Sequence, residues 1–371
     1  MISSLPWYSL ASVSRTREGR LIIMLHAGVD MHKHYSVITV VDDEGKALVR
    51  GAKLPNEEEH LIAFFKGLEE AKEDGVRVVL EAGPSWMWAC DLLDDYAIEN
   101  VLCHPLKTKA IASARIKTDK LDSEILAQLL RTDFIPCAFK PDKETRDLRE
   151  LLRYRAILAR RRAQVKNSVH ALLSKRNIHL PVANPFGKEG LALLSALRLP
   201  QPARTILDGH LAVLSFLSER IAEADGIIRA KYRESEGARL LSTIPGVAEF
   251  LSLLILSEIG DPERFHSAKH LSSFAGLVPS VHRSGVTERH GRITRQGSRW
   301  LRWALVEAAI HAARKPGPLR EHYLKVRKRK GAKVARVAAA RKLCTYIYHM
   351  LKEKKTYEAL VGPVSFYGHL G

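Results

Sequence analysis

The sequence has few cysteines and no long apolar run. The four cysteines stand far apart and form neither a CxxC pair nor the spacing of a zinc site: Cys90, Cys103, Cys137 and Cys344. No stretch reaches the roughly 18 to 20 consecutive apolar residues that a membrane-spanning helix needs. These absences argue against a disulfide scaffold, a zinc module and a membrane protein, and they favour a protein of a reducing cytoplasm.

The start of the chain also lacks the features of a secretory signal. It mixes Arg15, Arg17 and Arg20 with polar residues and has neither a long apolar core nor a small-residue cleavage site. We expect residues 1–24 to be a disordered leader, with Met24 as an alternative start. The whole chain has 371 residues, 46% of them hydrophobic, which is enough for two or three domains with sizeable cores.

Acidic residues are scarce in two segments, and this imbalance indicates a polyanionic partner. The chain carries 59 Lys and Arg against 41 Asp and Glu, a formal net charge of +18. Residues 151–176 contain eight basic residues and no acid, and residues 314–342 contain twelve basic residues and one acid. Such clusters neutralise phosphates and release counterions, whereas a merely solvated helix face usually mixes both signs. We therefore predict nucleic-acid binding. The candidate side chains in these segments are Arg153, Arg160, Arg161, Arg162, Lys166, Arg327, Lys328 and Arg329.

Residues 25–142 alternate between strand and helix patterns. Beta-branched runs predict strands at residues 28–31, 35–41, 47–49, 77–81 and 101–103. Helix patterns begin at Asn56, read as a cap, at Ser85, and at Thr118 or Asp119. This order predicts an α/β domain with a mixed sheet.

Four acids occupy suggestive places in this pattern. Asp30 lies in the first strand and Glu81 ends a buried strand, while Asp119 and Asp122 stand three apart in the first turn of a helix. Taken alone, the helix pair fits the ordinary preference of helix N-termini for acids. Together the four resemble the acids of the RNase H-like fold in RuvC-type resolvases and many transposases, where hard oxygen ligands hold divalent metals for phosphodiester transfer.

Residues 143–235 predict a helical connector. Residues 144–174 contain no Gly or Pro and repeat apolar residues with a helical period, as does a second run over residues 205–234. Helices of this length without caps suggest a coiled coil, either as an antiparallel hairpin or as an oligomerising arm.

The segment that follows begins with a turn at Pro245-Gly246, ahead of an apolar helix over residues 250–259. It resembles a helix-hairpin-helix element, in which Gly246 would let backbone N–H groups approach a phosphate. The alternative is an ordinary turn. Further along, Ser284 precedes a glycine, which by itself is typical of a loop serine.

Basic and histidine side chains lie near Ser284 in the sequence. Arg283, Arg292 and Arg295 are candidates for binding phosphates. His282 and His290 are candidate bases, although loop histidines are more often plain surface groups. His32 and His34 match no metal-site pattern.

Taken together, these motifs resemble one protein family. The segments are Gly28-Val29-Asp30, Glu81, residues 117–122, residues 276–279, Arg283-Ser284-Gly285 and Gly291-Arg292-Ile293. They resemble the DEDD transposases of the IS-one-ten insertion-sequence family, which are related to Piv-type DNA invertases. The resemblance extends over about residues 25–355.

The resemblance implies the following organisation. Residues 25–142 would be a RuvC-like domain, residues 143–235 a coiled-coil connector, residues 236–355 a mostly α transposase domain and residues 356–371 a tail. The catalytic residues would be Asp30, Glu81, Asp119, Asp122 and Ser284, with the four acids holding Mg²⁺ or Mn²⁺.

The resemblance also implies a reaction and partners. Donor and target DNA would be recombined through a covalent serine–phosphate intermediate. An element-encoded bridge RNA would select the sites, and a homo-oligomer, dimeric or tetrameric on DNA, would act at the nucleoid in the cytoplasm of a bacterium or archaeon. Two alternatives remain open: a Mg²⁺-dependent junction resolvase that uses water and leaves Ser284 idle, and a non-catalytic nucleic-acid-binding protein.

Overall fold

Two units of different architecture meet at the Pro141–Asp142 junction. The computed structural model describes residues 24–71, 75–112, 118–284 and 287–362, without the side chains of 70–71 and 281–290. The expected leader, apart from Met24, and the last part of the expected tail lie outside these ranges. None of the helices in the described ranges is long and apolar enough to cross a membrane.

A five-stranded mixed sheet forms the first unit. Its strands are β1 (Leu25–Met31), β2 (Tyr35–Val41), β3 (Ala47–Pro55), β4 (Val76–Glu81) and β5 (Glu99–Cys103). They lie in the order β3-β2-β1-β4-β5. Strands β1, β2 and β3 pair in antiparallel fashion, whereas β4 is parallel to both β1 and β5. The predicted mixed sheet is therefore confirmed.

Helices cover both faces of this sheet. They are α1 (Glu58–Ala71), α2 (Trp86–Asp95), α3 (Pro105–Ile111) and α4 (Asp119–Arg131). Side chains alternate along β4, so Leu80 packs into a core with Phe65 of α1 and Leu93 of α2, while Val79 packs with Leu126 of α4 on the other face. Helix α4 therefore has one face of the sheet largely to itself, which decides where its acidic first turn lies.

An antiparallel pair of long helices begins the second unit. Helices α5 (Lys143–Ser174) and α7 (Ala203–Glu234) flank the short α6 (Lys188–Ala196). Ion pairs join Glu144 to Lys231 and Arg155 to Asp225, so residues early in α5 meet residues late in α7. The two long helices of the sequence prediction are thus present.

The remainder of the second unit is mostly helical. Its elements are α8 (Glu236–Leu241), α9 (Glu249–Ile259), a 3₁₀ turn (Pro262–Arg264), α10 (Ala268–Phe274), β6 (Pro279–Ser284), β7 (Thr287–Ile293), α11 (Arg299–Ala312), α12 (Pro318–Glu353) and α13 (Tyr357–Val361). One apolar core joins the helices, with Leu254, Leu305 and Leu343 buried in it. The mixed-sheet unit is therefore followed by a mostly helical one, as predicted.

The β6–β7 hairpin differs from the sequence interpretation, which put Ser284 in a loop. Ser284 is the last residue of β6 and pairs with Thr287 of β7. The prediction of a loop rested on the Ser-Gly dipeptide. A glycine between two short strand-like runs is also typical of a β-hairpin.

Candidate metal centre

Two neighbouring parallel strands bring the first two acids to one edge of the sheet. Strands β1 and β4 are in register through the pair Val29 and Leu80. Asp30 and Glu81 are the next residues of the two strands, and both are half-buried. Because parallel strands end at the same edge, the two acids leave the sheet side by side.

Helix α4 adds the other two acids from above β1. Thr118 caps the helix by accepting a hydrogen bond from the backbone N–H of Leu121 at 3.2 Å. The buried Ser123 Oγ lies 2.8 Å from Thr39 Oγ1 of β2, which fixes the helix over the sheet. The first turn of α4, with Asp119 and Asp122, therefore lies over the end of β1.

A histidine joins the acids at this point. His32 Nε2 lies 3.3 Å from Asp30 Oδ2 and 3.1 Å from Asp119 Oδ2. Tyr35 donates a hydrogen bond of 3.3 Å from its hydroxyl to the same Asp119 oxygen. One ligand atom from each of Asp30, His32 and Asp119 lies within 4.8 Å of the others, which is close enough to share a metal ion.

The charges of all four acids interact. Burial raises the pKa of Asp30, His32 lowers it, and the carboxylates of Asp119, Asp122 and Glu81 each raise it further. Like charges gathered in this way repel each other unless a cation lies among them. The cluster is therefore electrostatically suited to a divalent cation.

The donor atoms also fit such a cation. Carboxylate oxygens are the ligands that Mg²⁺ and Mn²⁺ prefer. His32 Nε2 is buried and, despite its short distances to two carboxylates, makes no hydrogen bond of acceptable geometry with any described residue. The position of this nitrogen opposite two carboxylate oxygens is compatible with metal ligation.

Sequence reasoning missed His32 because no spaced His or Cys partner accompanies it. The available signal is the spacing: Asp30 and His32 stand two apart, which in an extended chain directs both side chains to the same face, although β1 ends at Met31 and His32 already lies in the turn. By this spacing from Asp30, His32 is a candidate metal ligand.

Comparisons with known proteins agree with this geometry. A DEDD transposase model of the IS110 type matches residues 27–178, and a model described as "Transposase IS116/IS110/IS902 family" matches residues 238–324. The chain belongs to the IS110 family of DEDD transposases. The predicted family is confirmed, and the protein is a DNA transposase, an enzyme that cuts and rejoins DNA strands.

Two curated relatives match about nine-tenths of the transposase, and a third matches one part of it. The transposase for insertion sequence element IS1111A of Coxiella burnetii is 26% identical, over 89% of this chain and 90% of that protein. The "Insertion element IS116 uncharacterized 44.8 kDa protein" of Streptomyces clavuligerus is 25% identical, over 92% of this chain and 97% of that protein. The pilin gene-inverting protein of Moraxella bovis is 35% identical, over 33% of this chain and 38% of that protein.

The other candidate site residues of the transposase lie in its second unit. Ser284 and Arg283 end β6, and their side chains lie outside the described part of the chain. The side chains of Arg292 and Arg295 are exposed. Gly246 has a φ of +81°, and a Cβ there would lie 2.7 Å from His311 Cβ, so the turn before α9 requires glycine.

The candidate basic side chains of the transposase differ in their exposure and in whether they pair with an acid. Arg160 and Arg161 of α5 and residues 327–329 of α12 are exposed, whereas Arg162 and Lys166 are half-buried. Arg153 differs from the other candidate side chains of α5, because it donates two hydrogen bonds, of 2.9 and 2.6 Å, to the buried Glu258. Its charge is balanced within the protein, whereas the exposed side chains are available to a polyanion.

Proposed function

We propose that the first unit is an RNase H-like, RuvC-like catalytic domain in which four acids hold Mg²⁺ or Mn²⁺ for DNA strand transfer. The observation that carries this proposal is the convergence of Asp30 and Asp119, with Asp122 and Glu81 close enough to raise the pKa of Asp30. The sheet order, with an antiparallel hairpin beside two parallel strands, supports the same assignment.

The acids would have a specific task. Divalent ions, when bound, neutralise charge at the attacked phosphate and favour the ionised form of an oxygen nucleophile. Asp30 and Glu81 would hold them from the rigid sheet edge, and Asp119 and Asp122 from the capped turn of α4. Tyr35 would orient Asp119 through its hydrogen bond.

We further propose that Ser284 is the nucleophile. Its oxygen would form a bond to phosphorus as a DNA oxygen leaves, and a second DNA hydroxyl would then attack the phosphoserine and restore the serine. Ser284 ends β6 and pairs with Thr287 of β7, next to the turn of the hairpin, and this position together with the family's Arg-Ser-Gly pattern supports the proposal. The exposed Arg292 and Arg295 lie toward the other end of the hairpin, where they would bind phosphates further along the DNA backbone.

The remaining assignments follow from the family. We propose that residues 143–235 form a coiled-coil connector used in a homo-oligomer, that residues 236–355 form a transposase domain with a helix-hairpin-helix-like turn at Gly246, and that 356–371 is a tail. Donor and target DNA, and an element-encoded bridge RNA, would bind the exposed basic side chains. The similarity to a pilin gene-inverting protein supports recombination as the reaction. We place this reaction at the nucleoid, in the cytoplasm of a bacterium or archaeon.

The mechanism is tested with purified protein and RNA transcribed from the element, on plasmids that carry the element ends. We expect Ser284→Ala to abolish both strand exchange and the protein–DNA adduct detected after denaturation, while Ser273→Ala, an exposed serine of α10, leaves both intact. Asp119→Asn and EDTA should each prevent the adduct. Strand cleavage that survives Ser284→Ala would favour a water-using resolvase, and no metal-dependent reaction on any such plasmid would favour a binding protein.

A further inference from the structure

We propose that His32 is a nitrogen ligand of the divalent metal, which makes the centre a mixed nitrogen and oxygen site that favours Mn²⁺ over Mg²⁺. This inference rests on the proposed metal site of the four acids and adds a residue to it. It concerns the one imidazole that the described residues bring against two of those acids.

The backbone of His32 is held from two directions. Its N–H donates a 2.9 Å hydrogen bond to the carbonyl oxygen of Tyr35, which closes the tight turn between β1 and β2. Its carbonyl oxygen accepts a 2.7 Å hydrogen bond from Asn56 Nδ2, and Asn56 Oδ1 in turn accepts one of 2.6 Å from Ser36 Oγ. A turn restrained in this way fixes the backbone position from which the imidazole side chain extends.

The ring itself is held by packing. Its centroid lies 4.7 Å from that of the Tyr35 ring, at an interplanar angle of 36°. The ammonium group of Lys53 lies 3.7 Å from the centroid of the same tyrosine ring, which reinforces the tyrosine's position by a cation–π interaction. Preorganised ligands of this kind need little rearrangement to bind an ion.

The surroundings of Nε2 favour a metal cation. A neutral imidazole whose Nε2 is unprotonated would place a lone pair 3.1 and 3.3 Å from two carboxylate oxygens, three acceptors with no hydrogen among them. A protonated Nε2 would be a donor, but neither carboxylate lies along its N–H direction. A metal ion bonded to all three atoms removes this conflict.

The nitrogen ligand has a consequence for metal preference. Imidazole binds Mn²⁺ and the later first-row metals better than it binds Mg²⁺, which keeps oxygen ligands and water. Loss of one orienting or direct interaction at a metal site commonly lowers affinity by roughly 10 to 100-fold. We therefore expect His32→Ala to weaken Mn²⁺ binding by about 10-fold or more and to change Mg²⁺ binding much less.

Pulsed EPR of the full-length protein loaded with Mn²⁺ alone tests the assignment. The wild type should show nitrogen modulation of the Mn²⁺ signal from one imidazole, and His32→Ala and His32→Gln should lose it. The matched control is His34→Ala, which removes an exposed histidine two residues further on and should keep the modulation. Circular dichroism verifies that the variants are folded, and calorimetric titration gives both metal affinities.

The outcomes separate this inference from the function on which it rests. If the wild type binds Mn²⁺ in a way that Asp30→Asn abolishes, but without nitrogen modulation, His32 is not a ligand and the four-acid site stands. If modulation persists in both His32 variants, the assignment is likewise overturned. If the wild type binds no Mn²⁺ at millimolar concentration, with or without DNA, the proposed metal site fails and the inference fails with it.

Discussion

A Cβ atom on Gly28 of β1 would lie 2.1 Å from the carbonyl oxygen of Ser123 in α4. The same atom would lie 2.5 Å from the backbone nitrogen of Ala127. Only a residue without a side chain allows the helix backbone to rest on the strand in this way. Since Asp30 follows Gly28 by two residues and Asp122 precedes Ser123 by one, the contact that needs glycine also brings the acids together.

Gly28→Ala should therefore damage both stability and the acid cluster. The added methyl group meets backbone atoms that cannot turn aside, so α4 must move, at a cost of about 1–3 kcal/mol in the free energy of unfolding. Asp119 and Asp122 would move with the helix, and metal affinity should fall. Urea denaturation and calorimetric metal titration measure the two effects.

A second glycine provides the control for this substitution. Gly67 lies exposed in α1, and nothing lies within 4 Å of a Cβ placed there. Gly67→Ala should raise the free energy of unfolding by up to about 1 kcal/mol and leave metal binding unchanged. Equal behaviour of the two variants would mean that the contact with Ser123 does not position α4.

The contact between Gly28 and Ser123 involves small residues, and for this reason the sequence predicts only part of the structure of α4. The sequence predicts a cap at either Thr118 or Asp119, and the cap is Thr118. The apolar positions of this helix predict a buried stripe of Leu121, Ile125, Leu126, Leu129 and Leu130. That prediction is wrong in part, because Leu121, Ile125 and Leu129 are only half-buried, while Ser123 and Ala127 are fully buried. A count of large apolar residues cannot find a helix face that is buried because its residues are small.

Asn56 illustrates a second limit. The sequence predicts Asn56 as the cap of α1, but α1 begins at Glu58. The side-chain amide of Asn56 instead donates a hydrogen bond to the carbonyl oxygen of His32 and accepts one from the Ser36 hydroxyl. Local spacing favours capping, whereas the actual partners lie about twenty residues earlier in the chain. The mixed sheet and long helices depend on local periodicity and were predictable, while these distant polar contacts were not.

Glu258 of α9 holds three elements of the second unit together, and its removal should be costly. It is 2% exposed, accepts two hydrogen bonds from Arg153 of α5, and accepts one of 2.8 Å from Ser298, the cap of α11. Glu258→Ala leaves a partly buried guanidinium without its partner, which should lower the free energy of unfolding by about 3–5 kcal/mol. Thermal and urea denaturation of the full chain measure this loss.

Glu249→Ala is the comparison on the same helix. Glu249 forms an exposed ion pair of 3.5 Å with Arg229, and such pairs contribute about 0–1 kcal/mol. Glu258→Gln should fall between the two, because the amide can still accept from Ser298 but has no charge for Arg153. A loss at Glu258 no larger than at Glu249 would contradict the role assigned to the buried carboxylate.

Asp142, the cap of α5, should give a pH-dependent contribution to stability. Its carboxylate accepts a 2.7 Å hydrogen bond from the backbone N–H of Thr145, which lowers its pKa. Burial acts in the opposite direction, and a hydrogen bond from the Thr145 hydroxyl lowers the pKa as well. A folded-state pKa below the unfolded value means that the stabilisation is present above the unfolded pKa, near pH 4, and is lost as the pH falls through the folded pKa.

Asp142→Ala should therefore cost about 1 kcal/mol at pH 7, and the difference from wild type should shrink below about pH 4. Asp142→Asn, which retains a capping oxygen without a titrating proton, should differ from Asp142→Ala by an amount that does not change with pH. Denaturation series between pH 2.5 and 7, at intervals of about half a unit, measure both differences. A constant difference between wild type and Asp142→Ala across this range would exclude the charged form as the cap.

The exposed basic residues of α12 should contribute a part of the nucleic-acid affinity that decreases as the salt concentration rises. Replacement of residues 327–329 by glutamine removes three exposed positive charges. If each contacts a phosphate of duplex DNA, the slope of log affinity against log salt should become less steep by about 2.7. The control removes three basic residues that already pair with acids, Arg204 with Asp208, Lys231 with Glu144 and Lys352 with Glu263. Both variants lower the net charge equally, so a similar change of slope in the two would show that overall charge, rather than this segment of α12, governs binding.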